Sequence, residues 1–181
     1  MSRIGGKKLP AWMLAASMMI GGSEGLRQYV YADPVGIPTV CFGQTGKDVK
    51  LGQPARSLDQ CSDLMVEQLV TIDKRLSQIV KVPLTDGEKI AYSSMLYNLG
   101  EGRKDVKDGF VTLKSGKQTT LLTLLNKGDH LGACQQIMAW INPKWLPGLK
   151  IRRAEETKMC LRDLGDKSAN DPFFAWVKNR A

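Results

Sequence analysis

Histidine occurs once among the 181 residues, at position 130. A histidine-based triad would have to use His130, and no serine or cysteine nucleophile motif accompanies it. His130 follows Asp129 at what reads as a helix start, which suits a surface position. Metal-ligand spacing is missing, because Cys41, Cys61, Cys134 and Cys160 lie far apart. No metal and no cofactor are therefore expected. No apolar run reaches the ~20 residues that span a bilayer. The run from Leu9 to Ile20 has only twelve, in the range of a signal-peptide core. No internal repeat of about 20 to 50 residues is visible. The formal net charge is +8. On charge alone nucleic acid would be the favoured partner. No basic stripe with interleaved aromatics, helix-turn-helix or zinc spacing supports that. Nucleic acid is not expected, and other anionic surfaces fit the charge equally well.

What is present reads as one enzyme-sized domain of α+β class, mainly helical. The segment from 28 to 32 and that from 37 to 42 read as short strands joined by Asp33-Pro34-Val35-Gly36, a strong turn signal. Ser57 with Gln60 reads as a capping box opening a long amphipathic helix to about Val80. Thr85 with Glu88 makes a second box, for a helix ending near Gly100. Residues 101–117 are rich in glycine and charge and read as a mobile loop or short hairpin. Helices are predicted at about 118–127, 129–141 and 149–164. Asp171-Pro172 is a candidate start for a short terminal helix.

Glu24, Asp33 and Thr39 stand out. A carboxyl follows an apolar helical stretch, a second carboxyl sits at the turn, and a hydroxyl lies on the return strand. Two carboxyls on opposite sides of one bond are what glycoside hydrolysis needs. One donates a proton to the leaving oxygen, and the other activates water or stabilises charge on the sugar. Taken alone, two acidic residues at this spacing are ordinary and Thr39 is a common strand residue. The turn between them and the glycines around Glu24 are what raise the reading.

The run GSEGLRQYVYADPVGIPTVCFGQTGKDV resembles the catalytic segment of phage-type lysozymes (the T4 lysozyme family, glycoside hydrolase family 24). Glu24, Asp33 and Thr39 match that family's spacing without a gap. The string TVCFGQTGKDVKLG is similar to endolysins of lambdoid phages of the phage 21 type, which are signal-arrest-release enzymes. YNLGEG, LLNKGDHLGAC and GLKIRRAEETKMCL extend the similarity over roughly positions 20 to 164. The resemblance implies a two-lobed lysozyme-like domain, with a small β-hairpin lobe, a larger helical lobe and a cleft between. It implies a muramidase that cleaves the β-1,4 bond between N-acetylmuramic acid and N-acetylglucosamine in peptidoglycan, for host lysis. Glu24 is then the general acid at the cleft floor, where partial burial would favour its protonated form. Asp33 and Thr39 position or activate the attacking water, giving inversion. Residues 1–22 become a basic start plus an apolar export segment or first helix, residues 23–165 the catalytic domain, and 166–181 a tail without a counterpart.

The remaining candidates carry two readings each. Tyr97 and Asn98 resemble the family's cleft-lining segment, and equally suit a helix end. Arg152 and Arg153 could bring a guanidinium to the acid glutamate and tune it, or lie on a solvated helix face. Trp140 and Trp145 could stack on sugar rings or pack in the core. The four cysteines allow three pairings. Their placement suggests Cys41 with Cys61 and Cys134 with Cys160, and all four lie at places matching the lambdoid endolysins. Bridged, they imply an oxidising periplasm. Reduced, they are buried small apolar residues. Residues 9–20 are a candidate contact with the inner membrane before release into the periplasm, or the first helix of a protein held in the cytoplasm until a holin acts. A monomer acting on peptidoglycan is expected. Two other functions stay open: a lytic transglycosylase, which does not need Asp33, and a cationic protein that disrupts membranes or binds wall without cutting.

Overall fold

A computed structural model describes residues 3–4, 7–33, 36–141 and 147–165. The chain forms two compact units, residues 1–71 and 72–181.

The first unit opens on two paired dipeptides, β1 (Arg3–Ile4) and β2 (Lys7–Lys8). Helix α1 (Ala11–Glu24) follows Pro10, whose fixed φ suits the entry to a helix. It buries Trp12, Met13, Ala16 and Ile20 and leaves Met18 in solvent. Its 14 residues take in the apolar run from Ala11 on, and among the described residues no helix is long and apolar enough to cross a membrane. Strands β3 (Arg27–Ala32), β4 (Pro38–Cys41) and β5 (Gln44–Thr45) form an antiparallel sheet in that order. Tyr31 faces Thr39 across the sheet, and Thr39 faces Thr45 on its other side. A small core gathers Val40, Cys41, Val49 and Cys61. The Cys41–Cys61 disulfide ties the end of β4 to helix α2 (Leu58–Ile79), with Cα atoms 5.2 Å apart. The Ser57–Gln60 box opens α2: the Ser57 N–H donates to Gln60 Oε1 and the Gln60 N–H to Ser57 Oγ.

The second unit is helical. Its elements are α3 (Asp86–Leu99), α4 (Thr120–Leu125), α5 (His130–Gln135) and α6 (Pro147–Leu161). The Thr85–Glu88 box starts α3. Helices α3 and α6 pack along one another over a core that includes Leu76, Tyr92, Met95, Phe110, Leu122 and Ile137. The Cys134–Cys160 disulfide joins α5 to α6.

Three boundaries differ from expectation. The helix expected over 118–127 is only α4, because Thr119 caps it at Leu122 N–H and Gly128 takes a positive φ of 84° beyond it. The one expected over 129–141 breaks into α5 and a tighter three-per-turn helix, Gln136–Trp140. The last helix begins at Pro147 rather than 149. Residues 100–119 form a closely bonded loop with two isolated bridges, Arg103 to Lys107 and Thr112 to Gln118. Glycine is required inside it. A Cβ on Gly102 would stand 2.0 Å from the Thr112 carbonyl, and one on Gly109 would stand 2.0 Å from the Gly102 nitrogen. The terminal helix expected near Asp171 and Pro172 lies outside the described residues.

Candidate active site

Glu24 is the last residue of α1, and Gly25 takes a positive φ of 70° to turn the chain into β3. The Glu24 side chain lies outside what is described.

Asp33 follows β3, and Thr39 lies one residue inside β4. Between them the turn closes on itself. The Asp33 N–H donates to the Ile37 carbonyl at 3.0 Å, and the Gly36 N–H to the Asp33 carbonyl at 2.9 Å. The Ile37 N–H donates to Asp33 Oδ1 at 2.8 Å. The Thr39 hydroxyl donates to the Ile37 carbonyl at 3.0 Å. Thr39 is 4% exposed, beside buried Val40 and Cys41. Asp33 is half-buried. A carboxylate held by a backbone donor can take a proton from water, and a hydroxyl whose own proton is engaged can accept a hydrogen bond from it. The Arg27 guanidinium lies 4.3 Å from the Tyr31 ring centroid, a cation–π pair on the same sheet.

In the helical unit, Tyr97 and Asn98 close α3 as a helix end. Asn98 Oδ1 accepts from Arg153 Nη2 at 2.5 Å. Arg153 also donates from Nε to the Trp140 carbonyl at 3.2 Å and pairs through Nη1 with Glu156 Oε2. Glu156 Oε1 further accepts from the Ser94 hydroxyl at 2.6 Å and from Arg152 Nε at 3.3 Å. Both arginines are buried, so neither lies on a solvated face. Each answers to Glu156. The sequence reading missed Glu156, though its spacing three and four residues after the arginine pair was a usable signal. Asn98, Thr119, Thr120, Gln136 and Trp140 line a cavity of about 670 Å³ with Asp108 and several leucines. Trp140 thus forms part of a cavity wall and also packs on the core. Trp145 lies outside the described residues.

His130 is half-buried rather than on the surface. Its Nδ1 lies 2.6 Å from Oε1 of Glu88, a fully buried carboxyl that also belongs to the α3 cap. Among the described residues no group of His, Cys, Asp and Glu could hold a metal ion.

A family model described as phage lysozyme matches residues 21–156, which include Glu24, Asp33, Thr39, Asn98 and Glu156. The SAR-endolysin of Bacteriophage PS119 is 34% identical over 142 residues, covering 77% of this chain and 77% of its own. That of Enterobacteria phage P21 is also 34% identical over 142 residues, covering 77% and 78%. Among solved structures, the active form of the P1 phage endolysin Lyz superposes with a TM-score of 0.69 at 24% identity, covering 90% of each chain, a likeness of fold. This chain belongs to the phage lysozyme family.

Proposed function

We propose that Glu24, Asp33 and Thr39 carry out hydrolysis of the β-1,4 bond between N-acetylmuramic acid and N-acetylglucosamine. The class is that of the family, a lysozyme-type glycoside hydrolase acting on peptidoglycan for host lysis. Glu24 gives its proton to the glycosidic oxygen as that bond breaks. Water attacks the anomeric carbon from the other face, and its proton passes to Asp33 while Thr39 holds the water. The product is inverted at the anomeric carbon. The observation that carries this reading is the turn in which Asp33 and Thr39 are both bonded to Ile37. Within the helical unit, the cavity walled by Trp140 and lined by Asn98, which Arg153 holds and Tyr97 precedes on α3, offers polar and stacking contacts to glycan. Arg152 and Arg153 give this region its buried positive charge.

The enzyme acts as a monomer in the periplasm on peptidoglycan, not on nucleic acid. Both cysteine pairs are bridged, which favours an oxidising compartment over storage in the cytoplasm. Residues 9–20 make first contact with the inner membrane, and from Ala11 on they fold into α1 on release. Digestion of purified Gram-negative peptidoglycan with wild type and Glu24→Gln, read by mass spectrometry, tests the assignment. Reducing muramic acid ends from wild type alone are expected. Anhydro-muramic ends would make it a transglycosylase. Lysis by both proteins without released products would mean direct membrane action.

A further inference from the structure

We propose that the backbone of Ile37, its N–H and its carbonyl together, is the positioning element for the water-handling side of the site, and that Pro38 holds it in place. The inference rests on the assignment of Asp33 and Thr39 to water activation. Three bonds converge on the backbone of Ile37. Its N–H donates to Asp33 Oδ1, and its carbonyl accepts from both the Asp33 N–H and the Thr39 hydroxyl. The carboxylate and the hydroxyl are therefore referred to one residue's main chain, and their relative placement follows that residue's φ and ψ. The Ile37 side chain is 48% exposed and is not what does this.

Pro38 constrains the Ile37 backbone from its C-terminal side. Its ring keeps Ile37 in the extended region and fixes its own φ. It opens β4 opposite Ala32. Beyond it the frame is anchored by buried Val40 and by Cys41, which is bridged to Cys61. With its proton given to the Ile37 carbonyl, the Thr39 oxygen presents lone pairs only. It accepts a hydrogen bond from the attacking water and does not donate one, which turns a lone pair of the water toward the sugar.

The test replaces Ile37 with its α-hydroxy acid, a backbone ester that deletes the N–H and keeps the side chain, alongside Pro38→Gly and Asp33→Asn. Kinetics on soluble glycan strands are measured on protein with both disulfides intact and a wild-type unfolding midpoint. The ester and Pro38→Gly are expected to lower kcat roughly tenfold or more with KM unchanged, as misplacement of a reacting group does. The ester protects the test should Pro38→Gly fail to fold. A folded ester variant with wild-type kcat overturns the proposal, and so does a loss carried wholly by KM. If Asp33→Asn itself keeps wild-type kcat, the catalytic assignment beneath has failed, and the Ile37 frame falls with it.

Discussion

Single residues decide the polar interior of the helical unit. Glu156 is one buried carboxylate that answers two buried guanidiniums and a hydroxyl. Removing its charge leaves the arginines uncompensated in low dielectric. Glu156→Gln is therefore expected to lower unfolding stability by about 3 kcal/mol. A urea titration checks this, and a loss under about 1 kcal/mol would show that the charge is not needed there. Thr39 makes a smaller demand. Thr39→Ser keeps the donor to Ile37 and should retain most activity, whereas Thr39→Val deletes it and should lower kcat roughly a hundredfold. Equal rates for the two would remove the hydroxyl from the mechanism.

At the scale of elements, α3 is held at its start from three sides. Thr85 and Glu88 cap it, His130 of α5 pairs with Glu88, and Asp163 Oδ2, just past α6, accepts from the Gly87 N–H at 2.8 Å. Thr85→Ala should cost about 1 kcal/mol, read from the shift in the unfolding midpoint. The Arg162 guanidinium, helped by the Gly87 N–H and opposed by partial burial, holds the Asp163 carboxyl below its usual value. A lowered folded pKa contributes stability above the unfolded carboxylate pKa, and that stability is lost as pH falls through the folded value. The melting-temperature gap between wild type and Asp163→Asn should thus be present at neutral pH and close in strong acid. A gap independent of pH would mean the charge plays no part. The loop 100–119 is an element in its own right. Arg75 of α2 grips it through a bidentate pair with Glu101, at 2.8 and 2.7 Å.

For the whole molecule, the two disulfides divide the work, one within each unit. They close 20 and 26 residues of sequence separation. Loop-closure entropy then assigns each about 3 kcal/mol. Dithiothreitol should lower the unfolding midpoint in urea accordingly, and a midpoint unmoved by full reduction would remove that contribution. The charge of +8 acts at this scale too, since attraction to an anionic wall weakens as salt screens it.

Local chemistry was legible in the sequence because it depends on neighbours within a few residues. The Ser57 and Thr85 capping boxes, the turn at Asp33 and the flanking strands are patterns of that kind, and each element stands within a residue or two of its expected place. The Glu24, Asp33 and Thr39 spacing was legible as a resemblance; that they act in concert is a proposal. Packing decided what remained. The tight loop of residues 100–119 depends on Gly102 and Gly109 meeting backbone to backbone. Glu156 stands three and four residues after the arginines on α6, but the burial of all three and their Ser94 and Asn98 partners depend on α6 lying along α3. His130 gained a buried partner because α5 lands at the start of α3. Sequence alone determined the capped starts of α2 and α3 and the turn and strands around Asp33, since backbone sterics and capping are local. Only the tertiary structure decided which distant polar groups complete the buried charges, since that follows from chain segments meeting far apart in sequence, as His130 and Glu88 do at a separation of 42 and Arg153 and Asn98 at 55.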